Sequence, residues 1–231
     1  MTGGAVRIGR AICEALAGAG LNVIVHYRTS AAEAETLVAD LERRGVQAWA
    51  LAADLTSEAA CNDLVRRAVA VAGRIDILIN NAAVFHKDSL CATTGAGLLA
   101  EFWPNLFAPL LLMRALAQQS AGGKIVNLLD RRIAGHDASC VPYVLAKKAL
   151  ADLTQLAALE LAPRFTVNGV APGAVLPPPG RGADYLLDHA GPVPLQKQVS
   201  PADVAAAVLA LLQNDVVTGQ ILFVDGGQHL L

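Results

Sequence analysis

Tyr143 and Lys147 stand four residues apart, which on a helix puts a phenol and an ammonium on one face, a turn apart. A cation beside a phenol favours the phenolate and draws a tyrosine down from its usual pKa of ~10, so the pair could donate a proton near neutral pH. The spacing alone is common and fits a structural role as readily. A second group of residues opens the chain: Thr2-Gly3-Gly4-Ala5-Val6-Arg7-Ile8-Gly9 leads into a helical pattern. Glycines there let backbone approach a pyrophosphate, and a helix N-terminus supplies N–H donors and positive potential. Glycine turns before helices are frequent, so this motif too is weak by itself. About twenty residues on, a site for NAD places an acidic side chain on the ribose hydroxyl. This chain has His26-Tyr27-Arg28-Thr29-Ser30 instead, with no carboxylate. Arg28 and Ser30, joined by His26 and Arg7, suit a ribose 2′-phosphate, because arginine offers a fixed fork to phosphate oxygens. The alternative is a solvated basic turn. The two motifs together predict NADPH rather than NADH.

The elements that must position these residues alternate along the whole chain. Helical patterns cover residues 7–20, 31–44, 57–72, 93–120, 139–162 and 202–212, and apolar strand patterns cover 21–27, 46–51, 75–80, 124–129, 165–170 and 220–224. Ser57 and Gly73 read as cap and stop of the third helix, and Pro142 sits in a first turn where its missing N–H costs little. Pro104 and Pro109 are expected to break the helix over 93–120. Continuous apolar strands alternating with helices predict an α/β, doubly wound parallel sheet of Rossmann type in a single domain, with ligands at the carboxyl ends of the strands. Residues 174–199, rich in Pro and Gly, form a loop long enough to serve as a lid over the substrate. Only Met1 precedes the glycine turn, so the strand expected ahead of it is lacking and its two neighbours are expected to be unpaired. An in-frame, strand-like codon run upstream of Met1 would mark Met1 as a late start.

Composition excludes other classes. The chain has 231 residues, 54% hydrophobic and 16% charged, far from the polar make-up of a disordered chain. A net charge of −2 leaves no basic excess for nucleic acid or an anionic membrane surface. No apolar run approaches the ~18 residues of a membrane span, and no signal-peptide pattern opens the chain. Cys13, Cys61, Cys91 and Cys140 lie far apart, which predicts four free thiols in a reducing cytoplasm and no metal site. His86, His136 and His189 have neither metal-ligand spacing nor acidic partners near them in sequence, and read as loop residues.

Several of these pieces together resemble the short-chain dehydrogenase/reductase family. They are the glycine turn, Asp54-Leu55, Asn80-Asn81-Ala82-Ala83, Asn105, Tyr143-Val144-Leu145-Ala146-Lys147, Val167-Asn168-Gly169-Val170-Ala171-Pro172-Gly173, Thr218-Gly219 and Val224-Asp225-Gly226-Gly227. They span the whole chain in the family's order. The resemblance implies that Gly3 and Ile8 belong to the cofactor turn and that Asp54 and Leu55 lie by the adenine. It places Asn81, Ala82 and Ala83 along the nicotinamide-side ribose and Lys147 on that ribose. Tyr143 would handle the proton, and Pro172 and Gly173 would line the nicotinamide.

Two departures from the common pattern are informative. Arg7 stands where most members have a third glycine, and Asp130, thirteen residues before Tyr143, stands where most have a serine. Both are typical of the pteridine reductase branch, as are residues 26–34 (HYRTSAAEA), the Asn105 to Pro109 spacing, residues 159–163 (LELAP) and 193–195 (VPL). In that branch an aspartate, a tyrosine and a lysine form the catalytic set, here Asp130, Tyr143 and Lys147, and an aromatic after the Asn-Asn-Ala motif stacks on the pterin, here Phe85. A carboxylate would oppose the oxyanion that develops when a carbonyl is reduced, whereas a C=N bond asks for a proton on nitrogen. Asp130 could instead pair with Arg131 or Arg132 and face water. Pro104 directly before Asn105 is unusual for the family, and Ala83 replaces the small hydroxyl residue frequent in the branch. The expectation is an NADPH-dependent pterin or dihydropterin reductase. Its rivals are a reductase of a carbonyl such as a 3-oxoacyl thioester and an NADP-binding protein without turnover. The resemblance also implies a homotetramer, or at least a dimer, paired through the helices bearing Trp103 and Tyr143, with Leu110, Leu111, Leu153, Leu156 and Leu159 either outward or buried within the monomer.

Overall fold

The computed structural model describes residues 1–178, 180–182 and 184–231. Among them, six strands form two parallel sheets, of two and four strands, with helices packed on both faces. Strands β1 (Val23–Tyr27) and β2 (Ala48–Ala52) pair in register Val23 to Ala48. A second set runs β3 (Ile77–Asn80), β4 (Gly123–Leu128), β5 (Phe165–Pro172) and β6 (Ile221–Val224) in that spatial order. The apolar side chains of a strand buried on both faces go alternately to the two layers. Val126 of β4 accordingly joins a core with Ile12, Leu37 and Val208 from α1 (Arg7–Gly18), α2 (Ala31–Glu42) and α8 (Pro201–Leu212). Its neighbour Ile125 packs on the other face with Leu64 of α3 (Glu58–Ala72) and Leu112.

No strand lies between β1 and β3 among the described residues, yet the two are not left wholly unpaired as expected. Met1 and Thr2 lie in the gap. The Met1 N donates to Ile24 O and the His26 N–H to Met1 O, while the Thr2 N–H donates across to Ile79 O, each at 3.0 Å. Beyond this two-residue bridge the gap is a cavity of about 370 Å³ walled by Leu16, Leu64, Val65, Ala68, Leu112 and Leu116.

Ser57 caps α3 by accepting from the Ala60 N–H, and Gly73 ends it at φ 77°. The helix expected to break at its prolines instead runs from Gly95 to Gln119. α4 (Gly95–Phe102) and α5 (Ala108–Gln119) are joined by a π-helical turn, Trp103–Phe107, that holds Pro104. The wider turn accommodates a ring that would collide with the preceding carbonyl of an α-helix, and Pro109 fits the first turn of α5. This 25-residue stretch contains an 18-residue window of mean hydropathy 1.3 and is long and apolar enough to cross a membrane by length and composition. It also carries the buried polar side chains Glu101 and Asn105. After β4, Arg131–Ile133 form a 3₁₀ turn, and α6 (Val141–Leu161) follows. The long loop over 174–199 contains a short helix, α7 (Asp184–His189), that the sequence reading did not anticipate and that makes His189 a helix end. Cys13, Cys61, Cys91 and Cys140 are free thiols, as expected.

Candidate active site

The carboxyl ends of β1, β3, β4 and β5 meet along one edge of the sheet, and the predicted residues gather there. On the β1 and β3 side a cavity of about 390 Å³ is lined by Gly3, Arg7, Ile8, His26, Tyr27, Arg28, Ser30, Asp54, Leu55, Asn81, Ala82 and Ala83. Its floor is the glycine turn. Gly3 takes φ +57°, and a Cβ at Gly9 would sit 2.1 Å from Gly3 O, so no larger residue fits at 9. Thr2 Oγ1 accepts from the Asn81 and Ala82 N–H groups at 2.9 and 3.0 Å, and Asn81 Nδ2 donates to Thr2 O and Gly3 O at 3.0 Å. Asn81 therefore fixes the turn. Thr2 is a site residue that sequence reasoning passed over, since a hydroxyl ahead of a glycine turn carries no spacing signal.

His26 does not serve as a cation here. The Gly3 N–H donates to its Nδ1 at 3.1 Å, and its Nε2 lies 3.1 Å from Ala53 O, an arrangement that satisfies the neutral ring. Burial pushes its pKa down to about 4. Arg7 also differs from expectation. Its backbone takes φ 55°, the left-handed conformation suited to the glycine it replaces, and its Nη2 donates to Pro177 O at 2.9 Å and Leu176 O at 3.4 Å. The guanidinium is thus committed to the loop after β5. Arg28 is exposed and forms no ion pair among the described residues, and Ser30, at the N-cap of α2, caps nothing with its hydroxyl. These two remain as donors for a 2′-phosphate.

On the β4 and β5 side the geometry is tighter. The Tyr143 hydroxyl donates to Asp130 Oδ2 at 3.0 Å. Asp130 caps the 3₁₀ turn, its Oδ1 accepting from the Arg132 N–H at 2.8 Å, and Arg132 Nη1 lies 3.1 Å from Oδ2. The same guanidinium donates through Nε to Asp137 at 2.9 Å. The two roles weighed for Asp130 therefore coexist: it pairs with Arg132 and also binds the phenol. Lys147 is buried, donates from Nζ to Leu128 O at 2.8 Å, and has its pKa lowered by burial to about 8. The expected lowering of the Tyr143 pKa is not what the site shows. Burial, followed by the nearby Asp130 charge, raises Tyr143 well above its ordinary value. Phe85 meets Tyr143 edge-on with ring centroids 4.8 Å apart, and the Arg132 guanidinium stands 5.4 Å from the Phe85 centroid on its face. The structure thus brings Asp130, Tyr143, Lys147 and Phe85 together and adds Arg132, which sequence alone could not separate from Arg131. Pro172 ends β5, and Gly173 is pressed on the C-terminal turn, where a Cβ would come within 2.9 Å of Asp225 and Gln228.

A family model described as enoyl-(acyl carrier protein) reductase matches residues 4–229. The chain belongs to the short-chain dehydrogenase/reductase family. This reductase has the fold of the FolM alternative dihydrofolate reductase 1 from Brucella canis, solved in complex with NADP, with a TM-score of 0.92 and 34% identity covering 100% of this chain and 93% of that one. It is 33% identical over 275 residues to pteridine reductase 1 of Leishmania tarentolae, covering 100% of this chain and 95% of the relative. It is also 33% identical over 248 residues to a putative ketoacyl reductase 2 of the granaticin polyketide synthase from Streptomyces violaceoruber, with 100% and 95% covered. The reductase is an oxidoreductase by family.

Proposed function

We propose that this reductase transfers hydride from NADPH to a C=N bond of a pteridine: a pterin, a dihydropterin or dihydrofolate. The observation that carries the reading is the hydrogen bond from Tyr143 to Asp130, with Phe85 edge-on to the Tyr143 ring. The cavity over the glycine turn suits NADPH, since it is lined by that turn and Arg28 and Ser30 have uncommitted donors there. When bound there, the cofactor supplies the hydride. Tyr143 donates the balancing proton to the ring nitrogen, Asp130 accepts and orients the phenol hydrogen until then, and Arg132 holds the carboxylate in place. Lys147, anchored on Leu128 O with its Nζ 5.9 Å from the Tyr143 ring centroid, sets a positive charge near the phenolate that proton donation leaves. Phe85, 44% exposed, offers a flat face for a flat heterocycle. The relatives named for pteridine and dihydrofolate reduction support this substrate class.

The ketoacyl reductase relative supports a second reading, a carbonyl substrate. Asp130 weighs against it, because its charge opposes a developing oxyanion. Initial rates on oxidised pterins, dihydrofolate and 3-oxoacyl thioesters at equal NADPH decide between them. Faster turnover of the pteridines supports the proposal, and thioester or ketone reduction exceeding it overturns it. The four free cysteines support a reducing cytoplasmic setting. Exposed Leu110 on α5 and Leu156 and Leu159 on α6 support self-association through these helices, while Leu111 turns out buried in the monomer.

A further inference from the structure

Glu101 of α4 is 1% exposed, and no Lys or Arg pairs with it among the described residues. A buried carboxylate is costly unless its oxygens are satisfied. Its Oε1 accepts from the His86 backbone N–H at 2.7 Å and lies 2.6 Å from His86 Nδ1. A carboxylate has only acceptors to offer, so Nδ1 carries the hydrogen. Oε2 accepts from Asn105 Nδ2 at 2.9 Å, and that amide also donates to Val84 O at 2.9 Å. With Val84 O, Glu101 O and Glu101 Oε2 all facing the Asn105 NH₂, its own Oδ1 is left buried without a partner. The clamp is thus kept at the expense of an unsatisfied acceptor, a cost a fold bears where position matters. Both neighbours of Phe85 are tied, Val84 through Asn105 and His86 directly, in a segment with no helix or strand of its own.

We propose that Glu101 is a positioning residue that fixes the backbone on both sides of Phe85 and so sets the aromatic face that meets substrate beside Tyr143. The proposal rests on the reading of Phe85 as the stacking residue. Glutamine cannot replace it: one oxygen and one NH₂ face donors on both sides, so one donor meets a donor.

The test is a double-mutant cycle of Glu101→Gln and Phe85→Ala, run on whichever substrate the enzyme reduces best. Glu101→Gln should raise the substrate KM about tenfold, the worth of one lost charge-assisted bond, with kcat within about threefold. NADPH affinity should stay near that of the parent, and the melting temperature should fall by a few degrees, as expected of one unsatisfied buried donor. In the Phe85→Ala background the Glu101 change should add little, because the two act as a unit. Hydrogen exchange in the peptide covering residues 84–88 should speed up in Glu101→Gln while α6 is unchanged, and this readout needs no substrate. An unchanged KM, or a Glu101 effect of full size without Phe85, overturns the proposal. Pteridines failing while the exchange result holds sinks only the substrate reading. Should the Gln variant not fold, Glu101→Asp keeps both oxygens and should give an intermediate KM. Parental values there would reject the clamp.

Discussion

The Tyr143 hydroxyl gives its hydrogen to Asp130 Oδ2 at 3.0 Å, while Arg132 reaches the same oxygen from the other side at 3.1 Å. One carboxylate therefore links the phenol to a guanidinium that also stands on the Phe85 face. Asp130→Asn keeps the shape and removes the charge. Pteridine reduction should fall about 10²–10⁴-fold, the usual worth of a positioned proton-transfer group. NADPH affinity should barely move. Asp130 is one of the causes that raise the Tyr143 pKa, so the alkaline limb of the pH–rate profile should shift to lower pH. Asp130→Ser should depress pteridine reduction yet spare or raise slow ketone reduction. Parental kcat/KM on pteridines in the Asn variant would reduce Asp130 to a partner of Arg132.

Cofactor preference should depend on Arg28. Reversing its charge with Arg28→Asp removes a charge-assisted contact worth about 1.5–3 kcal/mol and should narrow or reverse a preference for NADPH. The ratio of kcat/KM for NADPH and NADH measures it. Equal values in the parent protein would remove the basis for the 2′-phosphate assignment.

Acid should weaken the fold through His26. Its folded pKa of about 4 lies below its unfolded 6.5, so the unfolded chain binds the extra proton first as pH falls. The stability linked to His26 is complete above pH ~6.5 and is lost toward pH ~4, a change of roughly 3 kcal/mol. Urea unfolding at pH 7 and pH 4.5 should show the loss. His26→Asn, which can still accept from the Gly3 N–H but does not titrate, should flatten it. An identical pH slope in both proteins would place the acid sensitivity elsewhere.

Light scattering at micromolar concentration should find a dimer or tetramer. Leu156 and Leu159 are 62% and 79% exposed on one helix, more than an isolated monomer gains from. The pair Leu156→Glu and Leu159→Glu should yield monomers that still melt cooperatively. A monomeric parent would set those leucines down as ordinary surface.

The periodicity of apolar residues was enough to order the strands and helices, because a parallel sheet covered on both faces leaves continuous runs such as residues 124–129. Tyr143 and Lys147 were legible for a local reason, their helical spacing. Other partners were not, because they meet only in space. His86 and Glu101 are 15 residues apart, and Thr2 and Asn81 are 79 apart. The sign of the Tyr143 shift was missed because burial outweighs the neighbouring ammonium, and burial is a property of the packed site. The π turn was missed because Pro104 reads as a break, while the fold widens the helix around it.

The interruption of the sheet divides the active site along the same line. Arg28, Ser30 and Asp54 ride on the β1–β2 pair, while Asp130, Tyr143 and Lys147 ride on the block from β3 to β6. Across the sheet the two blocks are joined, among the described residues, by the backbone bonds of Met1, Thr2 and Gly4, beside a cavity. Below the strands, Val23, Val25 and Ala48 share one apolar core with Val126 and Val170, so packing as well as the bridge holds the blocks together. A ligand that spans both blocks would lock the two pieces together. Binding would then protect slowly exchanging amides in β1 and β2 more than those in β4 and β5, and the distance between the halves becomes a degree of freedom that the cofactor, rather than the sheet, holds fixed.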